Sequence, residues 1–324
     1  PYTPMVDDVF KNSGENVLDG LIYLFKHDER GYKFRTKYFG ELNRLYCVNF
    51  YRKIHEWCNA HNCLLTGHSI EEEKLNVQML GGAAVMPSYA EEDIPAIDNL
   101  GRIYSLGHGS KQVGSAAAQL NKKRVLTETF GCCGYDVTPY ELKGIGDYQY
   151  FNGVNMMCQH LYPYSMARGG KTDHPPVFSP HGNWFDGFKT FNEYFDRLGY
   201  IISNTSETVD VAVLSPMRDI WLEYVRSEQY ESVKDTEDGF KDLVTLLRNN
   251  GVTFHYIDEE LLRRFGSVEN GKLKVGAMAY DKVLVPKMKS LAKTTADILK
   301  AYGGKLIMEN APEFIDVAPA KVDL

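Results

Sequence analysis

The sequence predicts an α/β protein: repeated β/α units of the (β/α)8 TIM-barrel kind, followed by a doubly wound, flavodoxin-like α/β domain. Three observations lead there. Short apolar runs are centred near residues 65, 96, 126 and 157, a spacing of about 30 residues with helical patterns in most gaps. Each run ends in a polar or ionisable residue: His68, Asp98, Glu128, then Gln159-His160. Past Ser203-Asn204-Thr205-Ser206 the texture changes to clean apolar strands alternating with amphipathic helices. The spacing alone fits a barrel or an open sheet. The polar strand ends favour the barrel, where such ends surround one pocket.

Residues 1–20 read as loop, with Pro1, Pro4, Gly14 and Gly20. A helix is expected over 38–62, where Leu42, Leu45, Cys47, Phe50, Ile54 and Trp57 recur near the 3.6 period. Residues 63–68 read as a short buried strand, and Glu71-Glu72-Glu73 as a solvated loop. Small residues at 81–86 lead to the run 94–97, ending at Asp98. A helix over 111–120 precedes the strand 124–128. Thr138, Pro139 and Glu141 have the spacing of a capping box opening a helix through Phe151. A further strand is expected over 154–160. The aromatic-rich, proline-rich segment 162–184 reads as an ordered functional loop, followed by a helix over 185–202.

In the second part, strands are expected over 209–214, 252–257, 280–286 and 305–308, with helices over 238–250, 258–265 and 290–302. The expected division is 1–203 for the barrel part and 207–324 for the second domain. Ser215-Pro216-Met217, with no G-x-G-x-x-G, follows the first strand of that domain, which speaks against a dinucleotide cofactor. No cofactor and no metal are expected.

Composition bounds the partners. The 324 residues are 44% hydrophobic and 24% charged, ordinary for a globular chain. Lys+Arg is 36 against Asp+Glu 43, a net charge of -7, which gives no electrostatic reason to expect nucleic acid or an anionic membrane. No apolar stretch approaches the roughly 18 residues of a membrane span. Six cysteines form no C-x-x-C pair, and Cys132-Cys133 reads as two reduced thiols in a turn. A cytoplasmic location is favoured on that ground, with any targeting segment absent from a chain that begins at Pro1.

Glu128 is the most informative residue. A carboxylate at a barrel strand end, in a chain with 12% aromatic residues, suits attack on, or stabilisation of, an oxocarbenium-like centre. Glycoside hydrolysis needs a second carboxylic acid. Glu71, Glu72, Glu73 and Asp98 are the acids at hand, with Asp98 better suited to orienting a hydroxyl. His68, Gln159 and His160 are the right types to hydrogen-bond sugar hydroxyls, and Tyr135, Tyr162, His181 and Trp184 join them as candidate substrate-binding residues.

The stretch RVLTETFGCCGYDVTPYELKGIGDYQYFNGVNMMCQHLYPYS, with HPPVFSPHGNWFD after it, resembles the C-terminal half of a clan-A glycoside hydrolase barrel. The likeness is to large bacterial enzymes of the α-L-rhamnosidase-like or family 42 β-galactosidase-like kind, and it covers about residues 20–200. HEWCNAHNCLLTGHSIEEEKL resembles their fifth strand region and IPAIDNL their sixth. The resemblance implies strands five to eight, with Glu128 on strand seven as nucleophile or base. It also implies that the acid/base Glu of strand four lies upstream of Pro1. The part after residue 207 resembles the accessory domain that follows the barrel in family 42-like enzymes, where assembly and shaping of the site are its role, so any homo-oligomeric contact is expected there. The expected partner is a carbohydrate whose terminal sugar is cleaved. The alternative is a non-catalytic carbohydrate-binding or assembly protein on a degenerate barrel.

Overall fold

A computed structural model of the chain describes residues 2–102 and 107–319. It is a mixed α/β structure with two four-stranded parallel sheets. The chain opens with a helix, Pro4–Asn12, where the sequence suggests loop. Val6 and Phe10, one turn apart, are buried and hold it down, and proline is tolerated at its first position.

The helix expected over 38–62 begins earlier and has three parts: Tyr32–Tyr46, a π-helical turn Cys47–Tyr51, and Arg52–Ala60. A π turn winds in an extra residue and rotates the apolar stripe that follows. Before the turn Tyr38, Phe39, Leu42 and Leu45 are core residues, whereas Phe50 within it and Ile54 and Trp57 after it are exposed.

The first sheet has the order β1 (Thr66–Gly67), β2 (Ile94–Asn99), β3 (Leu126–Thr129), β4 (Met156–Gln159), all parallel. Neighbours in space are neighbours in sequence, as right-handed β/α units require. β1 is shorter than expected, and Cys63 and Leu64 are exposed rather than buried. The helices Gly109–Gln119 and Pro139–Phe151 make the crossovers after β2 and β3, and Phe188–Ser203 follows β4. The capping box is present: Thr138 Oγ1 accepts from Glu141 N at 3.2 Å, and the Glu141 carboxylate accepts from Thr138 N at 2.9 Å.

The second sheet is built from β5 (Val211–Leu214) and β6 (Phe254–Ile257), continued after a three-stranded antiparallel meander of β7 (Gly266–Glu269), β8 (Lys272–Val275) and β9 (Met278–Tyr280) by β10 (Lys282–Val285). β11 (Ser290–Leu291), β12 (Lys305–Met308), β13 (Phe314–Ile315) and β14 (Ala318–Pro319) complete the chain. The parallel order is β6-β5-β10-β12. All residues of β5 and β6 are buried, as strands covered on both faces must be. The meander was not foreseen, and the helix expected over 238–250 is the longer Tyr230–Asn249.

Helix Gly109–Gln119 packs against both sheets. Gln119 Nε2 donates to the Tyr256 carbonyl at 2.7 Å and to the Tyr280 hydroxyl at 3.0 Å, and Ser115 Oγ accepts from Tyr256 N at 2.9 Å. Arg35, fully buried, donates to the carbonyls of Leu222 (2.6 Å), Tyr23 (3.1 Å) and Asp28 (3.3 Å). Among the described residues no helix is long and apolar enough to cross a membrane.

Candidate active site

Parallel register sets one row of side chains across the first sheet. Asp98 of β2 pairs with Glu128 of β3, which pairs with Cys158 of β4. Because side chains alternate along a strand, Thr127 and Thr129 lie on the opposite face, where both are buried. There Gln149 of the helix Pro139–Phe151 donates to Thr129 Oγ1 at 2.9 Å and to Asn99 Oδ1. Glu128 is thus left free to face the other way, with 23% of its side chain exposed.

His68, in the turn after β1, reaches over β2 to Glu128. Its Nε2 is 2.6 Å from Glu128 Oε2, and its Nδ1 donates to the Ser69 carbonyl at 2.7 Å. Burial opposes a charge on His68. The Ser69 carbonyl, the Glu128 carboxylate and the charges of Glu72 and Asp98 outweigh it and hold the pKa above the ordinary histidine value. Burial also raises Asp98, helped by the charges of Glu128 and Glu71 and resisted by His68 and His160.

On the far side of Glu128, His160 Nε2 stands 3.8 Å from Oε1. His160 follows β4 directly, and its amide donates to the Thr129 carbonyl at 2.9 Å. Its Nδ1 is buried without a partner among the described residues. Gly131 in the turn after β3 leaves room for this ring: a Cβ there would meet His160 Cγ at 3.0 Å. The same turn carries Phe130 and Cys132 at positive φ, 76° and 62°. Four successive strand ends therefore converge: His68, Asp98, Glu128 and His160.

The other expected residues stand apart from that cluster. Gln159 pairs in register with Thr129, so it faces the helices, and its Nε2 donates to Asn192 at 2.9 Å. Tyr135 is half exposed and donates to the Lys171 carbonyl at 2.9 Å. Tyr162 and His181 are exposed. Trp184 packs on Phe178 and Phe188. Among the described residues, none of these five is hydrogen-bonded to His68, Asp98, Glu128 or His160.

The structure adds His174, whose ring meets His160 edge-on with centroids 5.2 Å apart. The crowded loop between Tyr162 and Trp184 was the signal for it. The structure also corrects the reading of Glu71-Glu72-Glu73. Glu71 is exposed, but Glu72 is fully buried and Glu73 partly so. Burial pushes their carboxyls up to about 8 and about 7. Among the described residues, no group of three or more His, Cys, Asp or Glu side chains is arranged to hold a metal ion.

Parallel β/α units with polar strand ends converging on a carboxylate are the arrangement of (β/α)8 enzymes, and the solved structures similar to this one have that fold in glycoside hydrolases. A rhamnosidase from Novosphingobium sp. PP1Y matches with a TM-score of 0.72 at 16% identity, over 97% of this chain and 30% of that one. A GH42 β-galactosidase from G. stearothermophilus matches with a TM-score of 0.57 at 11% identity, over 86% of this chain and 41% of that one. A β-galactosidase from Bacillus circulans sp. alkalophilus matches with a TM-score of 0.59 at 13% identity, over 89% and 42%. In sequence, the chain is 24% identical over 222 residues to a protein of Formosa agariphila provisionally named a β-glucuronidase, covering 66% of this chain and 17% of that one. No family model matches. The chain thus spans well under half the length of each of these relatives.

Proposed function

We propose that this chain is the C-terminal half of a (β/α)8 glycoside hydrolase barrel, followed by a flavodoxin-like accessory domain, and that the whole protein hydrolyses an O-glycosyl bond of a carbohydrate. The carrying observation is the Glu128 carboxylate at the end of β3, 2.6 Å from His68 Nε2. Supporting it, the first sheet has four strands in consecutive order, and the similar structures are glycoside hydrolases more than twice as long. The parallel order β6-β5-β10-β12 is, counted along the chain, 2-1-3-4, which supports the flavodoxin-like assignment. We place the division between residues 203 and 207, in the turn before β5.

In this reading Glu128 either attacks the anomeric carbon or takes a proton from the attacking water. The carboxylate is the reactive form in both cases, and a protonated His68 favours it. Asp98 and His160, on either side, are placed to bind sugar hydroxyls. The second carboxylic acid comes from the remaining barrel strands of the longer protein, and its distance from Glu128 sets retention or inversion.

The test is turnover by the intact protein of nitrophenyl glycosides, with the α-L-rhamnoside, β-D-galactoside and β-D-glucuronide as first probes. Release of nitrophenol from at least one member of a wider glycoside panel is expected. Binding of sugars with no turnover across the panel favours a non-catalytic carbohydrate-binding protein instead.

A further inference from the structure

Glu72 is fully buried, and among the described residues no Lys or Arg pairs with it. A carboxyl group so placed is far costlier to bury than an apolar side chain unless its oxygens are satisfied. They are satisfied by three donors from three parts of the chain. Asp98 N donates to Oε2 at 2.7 Å, while the Tyr89 hydroxyl and Ser69 N donate to Oε1 at 3.0 and 3.3 Å. Its backbone is held as well: Gln78 Nε2 and Gln112 Nε2 both donate to the Glu72 carbonyl, at 3.2 and 2.9 Å.

Two of the three donors belong to the site. Asp98 stands in register with Glu128. Ser69 supplies the carbonyl that receives the His68 Nδ1 proton, so the position of Ser69 decides where His68 Nε2 points. The Tyr51 hydroxyl, 3.0 Å from Ser69 Oγ, is a second tie on the same residue.

We propose that Glu72 is a positioning residue: its carboxyl group ties the His68 turn to the Asp98 strand and so holds His68 Nε2 on Glu128. This rests on the reading of Glu128 as the reacting carboxylate. Glu72 touches no substrate. It acts through Ser69 and Asp98, as supporting groups do in a preorganised site. Burial pushes its carboxyl up to about 8, against the pull of the Asp98 amide, the Tyr89 hydroxyl, His68 and the Ser69 amide.

The test compares Glu72→Gln and Tyr89→Phe with the unmodified intact protein, following kcat, KM, melting temperature and the His68 titration by imidazole NMR. Glu72→Gln keeps the shape but sets an amide N–H against donors. Its kcat falls on the order of 10- to 100-fold, the cost of a misplaced group, while KM stays. Its His68 titration drops toward the free value of about 6.5. Tyr89→Phe, which removes one donor, shifts both in the same direction by less. A folded Glu72→Gln protein with unchanged kcat and unchanged His68 titration overturns the proposal. If that variant does not fold, Tyr89→Phe decides by the same readouts. A moved His68 titration in a protein that turns over no glycoside refutes the proposed function and leaves the positioning role standing.

Discussion

His68 Nε2 and Glu128 Oε2 stand 2.6 Å apart, although they are 60 positions apart in the sequence and the whole of β2 lies between them. His68 Nδ1 already donates to Ser69, so the short contact holds one proton that is shared between a base and an acid. That proton is the simplest handle on how the site works.

Replacing His68 by alanine removes the donor and leaves the Glu128 carboxylate without its nearest cation. The expected loss in kcat/KM is at least about 100-fold, within the range for a positioned proton-transfer partner. Steady-state rates on the best glycoside check it. An unchanged kcat/KM places His68 outside the reaction.

The raised pKa of His68 makes a prediction about stability. The folded state binds the His68 proton more tightly than the unfolded chain does. The resulting stabilisation is complete below the unfolded value of about 6.5 and is lost as pH rises through the raised folded value. The melting-temperature gap between the protein and its His68→Gln variant is therefore widest below about pH 6.5 and narrows on the alkaline side. A gap that widens with pH contradicts the assigned direction.

Gly131→Ala tests the packing of the turn after β3. The new Cβ presses on the His160 ring at 3.0 Å and on Leu100 at 3.1 Å. His160 is forced away from Glu128, so kcat falls on the order of tenfold, while thermal melting shows a loss of only about 1 kcal/mol. A large loss of stability with full activity in the folded fraction refutes a role for that ring position.

Arg35→Met strips three backbone carbonyls, those of Leu222, Tyr23 and Asp28, of a buried donor. Leaving buried acceptors unpaired costs about 2–4 kcal/mol here. Denaturant unfolding reads it as a lowered midpoint. An unchanged midpoint means that water replaces the guanidinium.

The arrangement of strand ends is legible in the sequence because a parallel strand with a polar terminus is a local pattern. His68, Asp98, Glu128 and His160 each stand within three residues of the last apolar residue of a short run. The capping box at Thr138 and Glu141 is equally local. Glu72 and Glu73 were not legible, because three consecutive glutamates look solvated. Only the fold reveals that the Asp98 amide and the Tyr89 hydroxyl, 26 and 17 residues away, need an acceptor there. Gln159 shows the same limit at single-residue scale: Gln159 and His160 are neighbours, but the period of two sends Gln159 to Asn192 on the helix side. The helix Pro4–Asn12 buries only Val6 and Phe10, too short a pattern to stand out from its flanking glycines and prolines. The exposure of Phe50 and Trp57 depends on a π turn that no periodicity announces.

The measurement that bears most directly on the account is glycoside turnover by Glu128→Gln in the intact protein, with circular dichroism and melting temperature as controls of the fold. The amide keeps the shape of the side chain and removes the carboxylate proposed to attack the sugar or activate water. Turnover is expected to fall at least about 10⁴-fold, with sugar binding and the fold retained. A folded Glu128→Gln protein that turns over at the unmodified rate contradicts the assignment of this site.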